Sequence, residues 1–228
     1  ITGLLEKILH NENSLKRFVF SVSLNVTTMF YEPAFYLALR KNVIPVLREL
    51  SFIRIWITGC STGEEVYSMA ILLQEEGLFK KCKIYATDTN ETSLKKAKTG
   101  IYPLQLMREY TTNYLKSGGR EVFSEYYTSG YDSVLFKPFL KKNIIFSCHD
   151  FSFDGVFNDF DLIICRDIMY YFNSQIQKKA WKLLYKSLYP EGFLGLGKNE
   201  SIHKIREQYN YEEISSKTGI LKKTIEKD

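Results

Sequence analysis

Glu64 and Glu65 follow a short turn, Gly59-Cys60-Ser61-Thr62-Gly63, that separates an apolar run from an amphipathic one. Two glycines placed this way let a chain pass tightly from a strand into a helix beside a ligand. The paired carboxylates suit a helix N-terminus, but they repel a pyrophosphate. The P-loop pattern is absent, because no Lys follows the second glycine. The dinucleotide pattern GxGxxG is absent too, since Ser61 stands where its middle glycine belongs. The ligand admitted near Glu64 is therefore neutral or cationic. Further on, the stretch "ATDTN" puts Asp88 at the C-terminal tip of the next strand. An acid at that place hydrogen-bonds ribose hydroxyls in nucleotide-binding α/β folds. A ribose joined to a cationic group, with no phosphate, describes S-adenosylmethionine. Taken singly, Glu64 and Asp88 are ordinary capping or turn residues. Together, at successive strand tips, they favour the cofactor.

The elements that must position these acids follow from hydropathy. Apolar strand-like runs recur at residues 53–58, 83–87, 143–148, 161–165 and 192–196, with helical patterns at 64–76, 92–97 and 174–188 between them. This alternation predicts an α/β domain with a mostly parallel sheet. Continuous apolar strands fit burial on both faces. Residues 211–214 and 219–225 read as an antiparallel hairpin at the end of the sheet. Residues 106–142, rich in Tyr, Gly, Ser and Lys, break the rhythm and read as helix, loop and a small antiparallel insertion. Ahead of the sheet, 33–50 reads as an amphipathic helix kinked by Pro45, and residues 1–20 as two short helices. The expected division is a helical segment over 1–50 and a cofactor domain over 51–228, with a β-subdomain at about 125–145.

A chain of 228 residues with 45% apolar and 25% charged residues is globular in class. The formal charge of +5 comes from scattered or paired lysines, which read as solvated surface. No basic stripe with interleaved aromatics argues for nucleic acid. Cys60, Cys82, Cys148 and Cys165 form no CxxC pair, which disfavours a zinc ribbon, and no metal is expected. No run spans a bilayer and no signal peptide is visible. A cytoplasmic monomer is expected.

Five stretches in order make a more specific pattern: "VTTMFYEPAFYLAL", "WITGCSTGEEVYSMAI", "YATDTNETSLKKAKTGIY", "CRDIMYYF" and "YPEGFLGLGKNESI". Over about residues 22–202 the chain resembles the CheR-type chemotaxis receptor methyltransferases, which methylate glutamate side chains of chemoreceptors using S-adenosylmethionine. The resemblance implies a Rossmann-like class I methyltransferase fold and, as partners, the cytoplasmic domains of chemoreceptors. It places Asn25, Thr27, Gly59, Glu64, Asp88, Asp150, Phe151, Arg166 and Asp167 around the cofactor, and Arg166, Tyr171 and position 31 at the reacting end. It also implies that the β insertion resembles the subdomain that docks a receptor tail peptide in some members. Two departures stand out. Tyr31 replaces the family's Arg, and Asp167 replaces the Asn of "CRN".

Transfer of a methyl group to an ionised carboxylate needs no strong base. Alignment, desolvation and electrostatics must supply the rate. Arg166 is expected to hold a carboxylate bidentately and Tyr171 to orient the attacking oxygen. Tyr170 is read as a core aromatic and His149 as a strand-end residue. Tyr31 carries no fixed charge, so the alternatives are a catalytically weakened or non-catalytic cofactor- or receptor-binding homologue and, less favoured, a methyltransferase for another substrate.

Overall fold

Along Ile53–Thr58 successive side chains point to opposite faces of a sheet, and both faces are apolar. Ile53, Ile55 and Ile57 enter one core and Trp56 enters another, all with no exposed surface. A strand buried on both sides belongs at the centre of a parallel sheet, and this strand, β1, lies there. The computed structural model describes residues 27–198, 200, 202–215 and 217–225. The expected helices within residues 1–20 and Asn25 lie outside them.

The strands β1 to β3 are Ile53–Thr58, Cys82–Asp88 and Ile101–Pro103; β4 and β5 are Tyr127–Ser129 and Ser133–Phe136; β6 to β8 are Ile144–Cys148, Phe160–Cys165 and Leu188–Leu196; β9 and β10 are Tyr211–Ser215 and Ile220–Lys223. The main sheet runs β6-β2-β1-β7-β8-β10-β9. Its first five strands are parallel, and β10 is antiparallel to both β8 and β9. The C-terminal hairpin is thus where the sequence puts it. A second sheet, β3-β5-β4, is antiparallel. The three-residue β3 goes beyond the expected insertion, because a run that short carries no periodicity.

The helices are α1 (Pro33–Ala38), α2 (Ile44–Arg48), α3 (Glu64–Glu75), α4 (Glu91–Thr99), α5 (Met107–Lys116), α6 (Ser174–Lys186) and α7 (Ile202–Gln208). A π-helical turn, Leu39–Val43, joins α1 to α2, where the sequence suggests one kinked helix. Pro45 has no amide to donate and its ring crowds the preceding turn. One wider turn absorbs both problems. Asn90 and Asn173 cap α4 and α6, each side chain accepting two backbone amides. One core packs α1, α2, α3 and the small sheet beneath β1 and β2, and the other packs α6 and α7 beneath β7 and β8.

β1 has β2 on one side and β7 on the other, so the strand order reverses between β1 and β7. In such sheets ligands bind at that switch, beyond the carboxyl ends of the strands. The two loops meeting there are 59–63, after β1, and 166–171, after β7. Gly59 has a φ of +59°, and a Cβ on it would stand 2.5 Å from Ile168 Cγ2. Only glycine lets the two loops approach so closely.

Candidate functional site

Glu64 opens α3 and is 4% exposed. Its side-chain partners are hydroxyls. Thr27 and Thr62 donate to Oε2, the latter at 2.6 Å, and Tyr110 reaches Oε1 at 3.5 Å. Burial raises its carboxyl group above the usual range, and the Thr27 and Thr62 hydroxyls pull it back. No Lys or Arg among the described residues forms an ion pair with it. Thr27 and Glu64 are thus brought together as expected. Thr62 and Tyr110 complete a set that sequence alone left unmarked.

Asp88 ends β2. Its Oδ2 accepts the Ser61 amide and its Oδ1 the Asn90 amide, each at 2.8 Å. It therefore does the work of a turn residue as well, tying the loop after β1 to the tip of β2. Burial raises this carboxyl too, and the Asn90 and Ser61 amides oppose the shift. The Thr89 amide adds to this, and the carboxylate still has lone-pair capacity for a further donor.

Asp150 and Phe151 follow β6. Asp150 Oδ1 accepts the Ser152 amide at 2.7 Å. Phe151 is buried with its ring centroid 6.0 Å from that of Trp56 and 5.9 Å from that of Phe172. His149 sits among Trp56, Phe151 and Phe157, with Nε2 3.3 Å from the Gly155 carbonyl. It is the strand-end residue the sequence suggests.

Arg166 departs from expectation. Nη2 donates to Glu32 Oε2 at 2.6 Å, Nη1 donates to Glu65 Oε1 at 2.8 Å and to the Tyr31 carbonyl at 3.3 Å, and Phe35 lies 4.4 Å beneath the guanidinium. The side chain is 3% exposed. Burial alone would lower its pKa, but Glu65, Tyr36 and Glu32 raise it. Both terminal nitrogens of the guanidinium are thus engaged by carboxylates of the chain itself, while the buried Nε has no hydrogen-bond partner. Its partners are Glu32 and Glu65, the latter 101 residues away, and no spacing rule links such positions.

The clamp fixes the turn that carries Tyr31. Phe30 and Glu32 both adopt positive φ, 51° and 55°, which costs a residue with a side chain. The turn projects Tyr31 outward, 49% exposed. Lys198, at the end of β8, holds the other oxygen of Glu32 at 2.9 Å.

Tyr170 and Tyr171 lie side by side in the loop after β7, their ring centroids 4.4 Å apart and tilted by 44°, 52% and 54% exposed. The core placement read for Tyr170 is overturned: a short 3-10 turn, Met169–Tyr171, buries Met169 and leaves both tyrosines outside. Tyr170 donates to the Tyr171 oxygen at 3.3 Å, and this bond raises the pKa of Tyr170. Asp167 adopts a φ of 57°, a conformation that Asp and Asn tolerate best among non-glycines. Its carboxylate stands beside Glu200, a residue the sequence did not mark.

A family profile described as "CheR methyltransferase, SAM binding domain" matches residues 25–218. The "Putative methyltransferase Cher3" of Pseudomonas putida is 45% identical over 202 residues, covering 89% of this chain and 74% of that protein. A "Chemotaxis protein methyltransferase" of Listeria monocytogenes is 32% identical over 190 residues, covering 82% of this chain and 70% of that protein. The N-methyltransferase NodS of Bradyrhizobium japonicum, solved with S-adenosyl-L-homocysteine, superposes with a TM-score of 0.44 at 13% identity, over 91% of this chain and 76% of that one. From its profile match and its relatives, this chain belongs to the CheR family of S-adenosylmethionine-dependent methyltransferases.

Proposed function

We propose that this chain transfers a methyl group to glutamate side-chain carboxylates on the cytoplasmic domains of chemoreceptors. One observation carries the reading: a buried carboxylate, Glu64, held by hydroxyls and paired with no described cation, at the switch point of the sheet and one strand from Asp88. A buried anion in that state welcomes a cationic group and rejects a phosphate. Asp88 offers its spare lone pairs to ribose hydroxyls. Thr27, Gly59 and the Asp150–Phe151 turn complete the residues we assign to holding the nucleoside.

The cofactor supplies an electrophilic methyl group on a sulfonium. The chain supplies orientation and a dry surrounding. Because Tyr170 donates to Tyr171, the Tyr171 proton is free to point outward at an incoming carboxylate oxygen. Arg166 acts indirectly, by holding the Tyr31 turn against α3.

A second reading has its own support. Tyr31 brings no charge to the rim, and Arg166 is already occupied. Losing one electrostatic group of this kind costs about 10²–10³ in rate, so the chain fits a weakened homologue as well. Incubating it with tritiated cofactor and receptor cytoplasmic domains, then releasing base-labile methanol, separates the two. We expect label on receptor glutamates and a faster rate for Tyr31→Arg. Label from neither protein, on any receptor supplied, rules out the proposed reaction.

A further inference from the structure

The surface beside α6 joins two features that the cofactor site leaves unused. The first is charge. α6 contains no acidic residue, and Lys179, Lys182 and Lys186 stand on it at i, i+3 and i+7, the spacing of one helix face. All three are exposed. Among the described residues none of them forms an ion pair. The second is apolar surface. Phe153 is 88% exposed and Val156 47%. Slack in the chain does not explain the exposed ring. The Asp150 carbonyl accepts the Phe153 and Asp154 amides at 3.2 and 2.8 Å, and Asp154 Oδ2 accepts the Asp150 amide at 2.8 Å. The turn is closed on itself and holds Phe153 out in water. Between it and α6 lies a cleft of about 400 Å³, lined by Phe151, Phe153 and Val156 and by the three lysines. Asp154 is the one acid among its lining residues, and one of its oxygens is taken by its own turn.

We propose that this cleft docks an acidic amphipathic helix of the methyl-accepting protein, its apolar side chains against Phe153 and Val156 and its carboxylates against Lys179, Lys182 and Lys186. The proposal rests on the reading that the chain methylates protein glutamates. Charge selects the occupant. A segment that offers several glutamates for methylation is acidic, and unpaired lysines in a row attract it and fix its direction. The cleft beside them receives one row of side chains from a helix, and an aromatic held in the open serves as its anchor. A second copy of this chain fits badly. The chain carries a net charge of +5, and a two-fold contact would set the same lysines against each other. The place suits delivery as well. α6 begins at Ser174, three residues after Tyr171, and the lysines lie roughly 8–18 Å along it at 1.5 Å per residue. A helix docked there extends within a turn or two to the loop after β7.

The test measures KM and kcat for methyl transfer to receptor cytoplasmic domains, the binding of those domains, and the Kd of S-adenosylhomocysteine. The variants are the triple Lys179→Glu, Lys182→Glu, Lys186→Glu, the single Phe153→Ser, and a control triple, Lys80→Glu, Lys116→Glu, Lys217→Glu, which changes net charge equally on other parts of the surface. We expect the α6 triple to raise KM about tenfold or more, and Phe153→Ser to raise it several-fold, while kcat and the S-adenosylhomocysteine Kd hold. Added salt should raise the wild-type KM and leave that of the α6 triple little changed, because exposed charges are screened. A control triple that raises KM as much as the α6 triple overturns the docking site, since net charge then explains the effect. So does a wild-type KM in the α6 triple, including the case where these lysines instead retain RNA or phosphatidylserine vesicles. A wild type that binds a receptor domain through this face, loses it in the α6 triple and yet transfers no methyl group overturns the proposed reaction and upholds the docking site.

Discussion

A carboxylate surrounded by hydroxyls and paired with no described base is costly in the empty protein and useful once a cation arrives. Glu64 is in that position. Its carboxyl is raised by burial, so the charged form is penalised in the folded chain. Glu64→Gln removes the penalty and keeps the shape. Calorimetry should therefore give an S-adenosylmethionine Kd weakened tenfold or more, ~1.4 kcal/mol, while the melting temperature holds or rises. The sign of the pH effect follows: affinity declines as acid protonates Glu64, and this dependence is absent from the variant. A Kd within twofold of wild type at neutral pH contradicts the role. Glu64, Asp88 and Gly59 were legible in the sequence, because each lies at a turn that strand and helix periodicity locates; Thr27 came only from the family resemblance. Glu32, Glu65, Tyr110 and Glu200 were not. Their chemistry depends on contacts across the fold, and spacing along the chain carries no trace of them.

At the scale of elements, two loops and one turn form the mouth, and Arg166 bonds all of them except the loop after β1. It links the end of β7 to the Tyr31 turn through Glu32 and to α3 through Glu65. Removing one member of a buried ion group leaves its partners unpaired, at roughly 3–5 kcal/mol. Arg166→Met should lower the melting temperature by about 2–4 °C for each kcal/mol lost, as in chains of similar size. Adding Glu32→Met and Glu65→Met should recover much of that loss, because the only charge left without its partner, Lys198, is exposed to water. If the triple variant melts no higher than Arg166→Met, the ion group is not what holds the turn. Where an element is built from periodicity, sequence located it: β1 falls on residues 53–58 as expected, and β10 and β9 close the sheet as a hairpin. Where backbone accommodates a single residue, it did not. The π-turn ahead of Pro45 and the outward-facing Tyr170–Tyr171 turn are both local backbone features that hydropathy does not register.

Across the whole molecule, a buried polar cluster away from the mouth ties the π-turn, the end of α3, α5 and the turn leading into the small sheet together. Arg40, in the π-turn, pairs with Glu75 and, at 2.6 Å, with Glu76 of the adjoining α3 end. Tyr114 of α5 and Tyr126, just ahead of β4, both donate to Glu75 Oε1. Burial alone would raise the Glu75 carboxyl. The Tyr114 and Arg40 hydrogen bonds and the Arg120 amide outweigh it, and the group is lowered below the usual range. A carboxyl lowered on folding contributes stability that is complete above its unfolded value of about 4.3 and is lost as pH falls through the folded value. Glu75→Gln should therefore destabilise the chain at neutral pH, where Arg40 loses a charged partner, and the gap from wild type should close on acidification. Urea unfolding at neutral pH and at steps of pH below the unfolded value checks the prediction. A gap of constant size throughout would mean that the cluster is held by shape, with the charge on Glu75 contributing nothing to the attachment of the small sheet.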